Sequence, residues 1–174
     1  MKNSGRHLHI ISFDIPYPAN YGGVIDVFFK LRALVSAGVK VHLHAFQYGR
    51  QSSRILEELC ESVHYYQRDV SKSQLFLKEP YIVVSRSSEQ LIKNLLSDEH
   101  PILFEGLHST HFLNDERLKQ RRKIVRTHNI EHEYYKNLAK AESNIFKRYY
   151  FYNESNKLEI YENILSNADL IAAI

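Results

Sequence analysis

The 174 residues carry 44% hydrophobic and 25% charged side chains, which fits one soluble globular domain and excludes a disordered chain. Twenty-three basic against 20 acidic residues leave a net charge of +3, too slight a basic balance to require a nucleic-acid partner. A single cysteine, Cys60, excludes an intrachain disulfide and fits a reducing compartment. No apolar run reaches the roughly 18 residues of a spanning helix, and Met1–Gly5 shows no leader-peptide character. The chain is expected in the cytoplasm, or held peripherally at the inner face of a membrane.

His7–Phe13 is an apolar run of strand length, followed by a loop over Asp14–Gly23 with two prolines, an asparagine and paired glycines. Val24, Val27, Phe28, Leu31, Leu34 and Val35 then recur at helical spacing, and Gly38 supplies a helix stop. Val39–Phe46 alternates as a strand and completes a βαβ unit. Arg54–Glu61 reads as a helix, Val63–Tyr66 as a strand, Ser87–Leu96 as a helix, and Pro101–Glu105 and Lys123–Thr127 as strands. Tyr81–Val84 has strand propensity with no clear turn after it. From Glu131 the pattern is helical, with a break and new N-cap expected near Ser143-Asn144. The apolar close, Asp169–Ile174, returns to strand character and reads as the cut edge of a larger protein. Strands alternating with helices predict an α/β domain with a parallel sheet flanked by helices, and in such sheets ligands gather at the carboxyl ends of the strands.

Three strand ends are chemically loaded. Gly22 and Gly23 open a helix, where backbone amides can approach a phosphate; a tight turn explains them equally well, and the spacing is not Gly-x-Gly-x-x-Gly. Glu105-Gly106-Leu107-His108 follows one strand and His128-Asn129-Ile130-Glu131-His132 another, and imidazoles there can bond sugar hydroxyls or phosphate. The second run also matches His-x-x-Glu-His, a zinc-hydrolase pattern that needs both histidines on one helix, whereas His128 falls in a turn. His42 and His44 share one side of a strand and read as core edge or surface in preference to a ligand pair, and Cys60 reads as a small buried apolar residue. The tyrosine pairs Tyr65-Tyr66, Tyr134-Tyr135 and Tyr149-Tyr150 read as core or interface, and Arg121-Arg122-Lys123 as a solvated loop or, more sharply, a membrane-facing patch.

Ser12–Gly23, Ala37–His42, Phe104–Ser109, Arg126–Tyr135 and Asn167–Ile174, in that order over nearly the whole chain, resemble the N-terminal domain of family 4 glycosyltransferases. The resemblance implies a GT-B architecture of two Rossmann-like domains, with residues 1–174 as the acceptor-side domain and the nucleotide-sugar domain absent from this chain. It implies metal-independent, retaining transfer of a sugar from a nucleotide sugar to a glycan, lipid-linked or small-molecule acceptor, with no cofactor. By position, Gly22 and Gly23 would approach the donor diphosphate, His128 would face the transferred sugar as the catalytic residue, and Glu105 and His108 would line the acceptor side. The residues present would form half a site, inactive alone. A zinc-dependent hydrolase using His128, Glu131 and His132 and a non-catalytic flavodoxin-like binding domain are the alternatives.

Overall fold

The computed structural model describes residues 6–173; Met1–Gly5, read above for a leader, and Ile174 of the closing strand lie outside it. The chain runs β1 (Arg6–Ser12), α1 (Gly22–Ser36), β2 (Val39–Gln47), α2 (Arg54–Leu59), β3 (Ser62–Gln67), α3 (Tyr81–Val84) and α4 (Glu89–Leu95). It continues through β4 (Ile102–Glu105), β5 (Lys123–Thr127), α5 (Glu131–Ala141), α6 (Ile145–Tyr161) and β6 (Leu170–Ala173). The strands form one six-stranded sheet of order β3-β2-β1-β4-β5-β6. Every pairing is parallel. The fold is thus α/β and Rossmann-like, as the alternation predicts.

Strand alternation sends successive residues to opposite faces, and both faces are covered. Ile10, Val41, Leu43 and Leu103 meet Val27 and Leu31 of α1 on one side. Ile11, Phe46, Ile102 and Phe104 meet Leu91 and Leu95 of α4 on the other. Each such fully buried side chain contributes about 2 kcal/mol of apolar burial. Gly38 ends α1 with φ +77°, a conformation that costs glycine little. Asn144 caps α6, its side chain accepting from Phe146 N and Lys147 N, which places the helix break where the sequence expects it.

Two expectations are corrected. Tyr81–Val84 is a single helical turn rather than a strand: Pro80 opens it, Tyr81 N donates to Glu154 Oε2 at 2.7 Å, and Ile82 and Val83 bury against Leu107 and Leu158. Tertiary packing overrides the β-propensity of Ile82, Val83 and Val84 there. Nor is Arg121-Arg122-Lys123 solvated: only Arg122 is exposed. Arg121 donates to the carbonyls of Leu95, Asp98 and His100, and Lys123 Nζ to Leu113 O at 3.0 Å, so both cations cap chain ends that would otherwise be left unbonded. The tyrosine pairs divide: Tyr66 is buried, whereas Tyr134 and Tyr149 are exposed. Cys60 is buried, and burial pushes its thiol up to about 12.

Candidate functional site

β1 and β4 are spatial neighbours but far apart in sequence, so the chain leaves them in opposite directions and opens a crevice at their carboxyl ends. A cleft of about 480 Å3 lies there, lined by Phe13, Tyr21, Gly22, Gly23, Asp26, His108, His128, Asn129, Glu131 and Tyr134. The site residues expected from the sequence therefore converge, with one exception discussed below.

The glycines differ. α1 begins after Tyr21 with no side-chain cap and no acidic residue in its first turn, leaving amide donors turned to the cleft. A methyl group on Gly22 would meet nothing within 4 Å, so a ligand can approach its backbone closely. A methyl group on Gly23 would lie 2.6 Å from Phe13 Cζ, so that glycine is required by packing. Asp14 braces the preceding loop: it accepts from Ile15 N and Tyr21 OH, each at 2.8 Å, and pairs with Arg50 at 3.4 Å.

Glu105, fully buried at the end of β4, is the exception. Its carboxylate accepts from Lys30 Nζ at 2.6 Å and lies 3.1 Å from His128 Nε2, one layer behind the cleft wall. It orients His128: a hydrogen donated from Nε2 leaves Nδ1 with the free lone pair. Lys30 also donates to Asp26 at 2.9 Å, and Arg126 grips Asp26 through two bonds of 3.0 Å. Partial burial pushes the Asp26 carboxyl up, but the hydrogen bonds from Arg126 and Lys30 outweigh it and hold the group at about 2.

Gly106 follows with φ +71°, and a methyl group on it would sit 3.2 Å from His108 Nδ1. His108 stands in the 3-10 turn Leu107–Phe112, 3.8 Å from the carboxylate of Glu131 at the start of α5. Neither His108 Nδ1 nor Glu131 Oε1 has a hydrogen-bond partner. Burial, reinforced by Arg86 and Arg68, holds His108 well below the ordinary imidazole range, and burial pushes Glu131 up to about 7. Near neutral pH the pair is an uncharged imidazole facing a carboxyl poised to titrate, the arrangement in which perturbed groups gather at functional sites.

His132 does not join them. It turns to Glu162, its Nδ1 2.7 Å from Oε2, while His128 turns to Glu105. The zinc-hydrolase constellation of His128, Glu131 and His132 is therefore not assembled, because the histidine in the turn and the histidine in the helix face different partners.

A second cleft of about 490 Å3 continues from the first through Phe13, Tyr21, His108 and Tyr134, and is walled by Arg68, Arg86 and tyrosines 48, 81, 135 and 150. Arg86 is 5% exposed and donates to Phe13 O at 2.9 Å and to Ile82 O, with no carboxylate ion-paired to it among the described residues. Burial, with Arg68 nearby, lowers it to about 9. Sequence reasoning missed Arg86, Lys30, Asp26 and Arg126. The i,i+4 spacing of Asp26 and Lys30 on the polar side of α1 is the one local signal that points to any of them.

No family model matches the chain, and no solved structure matches it. A protein of Klebsiella pneumoniae described as "Uncharacterized 44.6 kDa protein in cps region" is 35% identical over 151 residues. The alignment takes in 82% of this chain but only 39% of that protein, so the chain spans well under half of its relative's length.

Proposed function

We propose that this chain is the acceptor-side domain of a GT-B glycosyltransferase acting in capsule polysaccharide synthesis. The observation that carries this is the convergence, across one cleft at the β1–β4 crevice, of the uncapped N-terminus of α1 with His128 braced by Glu105. The relative from a cps region supports the polysaccharide context.

In the transfer, an acceptor hydroxyl oxygen bonds to the anomeric carbon as the bond from that carbon to the diphosphate breaks, charge grows on the diphosphate, and the hydroxyl proton passes to the departing diphosphate oxygen. Free amides at Gly22 and Gly23 offer that charge a preorganised partner, worth about 0.3–2 kcal/mol at a helix N-terminus. His128, fixed by Glu105, presents Nδ1 to the sugar, and His108 and Glu131 hold unspent hydrogen-bonding capacity for acceptor hydroxyls. The cations of Lys30 and Arg126 are already neutralised by Asp26 and Glu105, so they act as scaffold. Arg86 and Arg68 make no ion pair among the described residues, and although Asp14 also lines this cleft, two guanidiniums against one carboxylate favour an acceptor that brings an anionic group among the tyrosines.

The nucleotide side would come from a second domain, consistent with the greater length of the relative. Peripheral membrane attachment is supported by α5 and α6, where Ile145, Phe146, Tyr149 and Tyr152 are exposed beside Lys136, Lys140 and Arg148. No helix among the described residues is long and apolar enough to cross a membrane.

The test is sugar-nucleotide turnover by the protein of the full-length gene. His128→Ala should lower it by roughly 100-fold or more. Wild-type turnover in that variant would remove His128 from the mechanism.

A further inference from the structure

The amino-terminal end of the sheet carries a second cluster, remote from the cleft. Six of the ten histidines stack there on the α4 face: His7 and His9 of β1, His42 and His44 of β2, His64 of β3, and His100 from the turn before β4. The register explains the grouping, since His9 lies beside His42, Ile11 beside His44, and His44 beside His64.

The inner members are fully bonded. His9 Nε2 meets both Asp98 oxygens at 3.0 Å, His9 Nδ1 lies 2.8 Å from His44 Nε2, and His44 Nδ1 lies 2.7 Å from the Tyr66 hydroxyl. Of the outer members, His7 and His100 are not. His7 Nδ1 and His42 Nε2 lie 2.9 Å apart and His42 Nδ1 is 2.8 Å from Ser62 Oγ, but His7 Nε2 and both ring nitrogens of His100 lack protein partners among the described residues. All three rings are half-buried, and each offers a nitrogen within 4.8 Å of the other two.

We propose that His7, His42 and His100 form a binding site for a divalent transition-metal ion of the zinc class, each supplying one nitrogen, with water in the fourth position. Neutral imidazoles without oxygen or thiolate ligands suit zinc, cobalt, nickel or copper, and not magnesium or calcium. Tetrahedral zinc holds its ligand nitrogens about 3.4 Å apart, so a cluster spanning up to 4.8 Å must tighten by up to about 1.4 Å. The rings, tilted only 9–13° from parallel, converge by turning about their side-chain bonds. The supports are in place: Ser62 is positioned to take the Nδ1 hydrogen of His42 and free its Nε2. The backbone of His100 is pinned at both ends, its N donating to Asp98 Oδ1 at 2.9 Å and its O accepting from Arg121 Nε at 2.6 Å. Asp98 adds a negative charge beside the site. A bound ion would clip β1, β2 and the turn before β4 together.

The test is titration of the untagged, chelator-treated protein with Zn2+ or Co2+ alone, followed by calorimetry and by the visible absorption of tetrahedral Co2+. One equivalent should bind. His100→Ala lies in a turn outside the core and should weaken binding at least 10-fold with unchanged circular dichroism, and Ser62→Ala should weaken it by about 10-fold. Failure to bind a stoichiometric ion would overturn the site. So would affinity unchanged in His7→Ala and His100→Ala, or affinity lost instead in His128→Ala, which would move the ion to the grouping of Asp26, Glu105 and His128.

Discussion

His108 Nδ1 and Glu131 Oε1 face each other across 3.8 Å, both buried and neither hydrogen-bonded. Burial keeps Glu131 protonated up to about pH 7, whereas in the unfolded chain it ionises near 4.5. A raised carboxyl loses stability as pH rises between those two values, because the unfolded state sheds its proton first. The loss amounts to about 3 kcal/mol at most. Glu131→Gln removes this falling contribution, so the variant's denaturant stability should rise relative to wild type as the pH goes from about 4.5 to 7. His108, depressed by burial, acts in the other direction and destabilises the fold as pH falls below 6.5. It remains in the variant beside His9, His42, His44, His64 and His111, which burial also lowers, so the stability of Glu131→Gln should rise with pH toward 6.5.

The two glycines of the α1 loop should separate packing from binding. Gly23→Ala drives a methyl group into Phe13 and should cost about 1–3 kcal/mol in thermal or denaturant unfolding. Gly22→Ala meets open space and should leave stability within about 1 kcal/mol of wild type, while weakening binding of a nucleotide diphosphate to the full-length protein. Equal stability losses in the two variants would contradict this division.

Removing Glu105 leaves Lys30 with Asp26 alone and frees His128. Glu105→Ala should destabilise by about 3 kcal/mol, the usual consequence of breaking a buried charged pair. Glu105→Gln keeps the volume and an acceptor, and should lower the proposed sugar-nucleotide turnover more than it lowers stability. Stability loss without a matching turnover loss would reduce Glu105 to a structural role.

The exposed face of α6 makes a membrane prediction. Sedimentation with vesicles containing anionic lipid should carry the protein down at low salt and release it at high salt. Phe146→Ser combined with Tyr149→Ser should abolish the association with no change in unfolding, since both side chains are largely exposed (86% and 73%). Association that survives in this variant places the contact elsewhere.

Much of the fold was legible because it is written locally. The alternation through β1, α1 and β2 gave the parallel sheet, and the carboxyl-end rule then brought Gly22, His108 and His128 to one crevice. What stayed hidden depends on partners far along the chain. Arg126 and Asp26 are 100 residues apart, Glu105 and Lys30 are 75 apart, and no periodicity records either pairing. The burial of Arg121 and Arg86 was invisible for the same reason, since a guanidinium that caps carbonyls is indistinguishable in sequence from one in solvent. Tyr81–Val84 misled because four residues of strand character were overruled by Pro80, Glu154 and the contacts of Ile82 and Val83.

Phe13 joins the two sides of the crevice. Its ring meets Gly23, lies 5.4 Å from the ring of His108 and 5.7 Å from that of His128, and its carbonyl is held by Arg86. One aromatic plate therefore touches the helix start, both histidines and the arginine cleft. Close-packed groups transmit displacement instead of absorbing it. Gly23, His108 and His128 therefore share one packing partner, and a substitution that displaces the Phe13 ring disturbs all three at once.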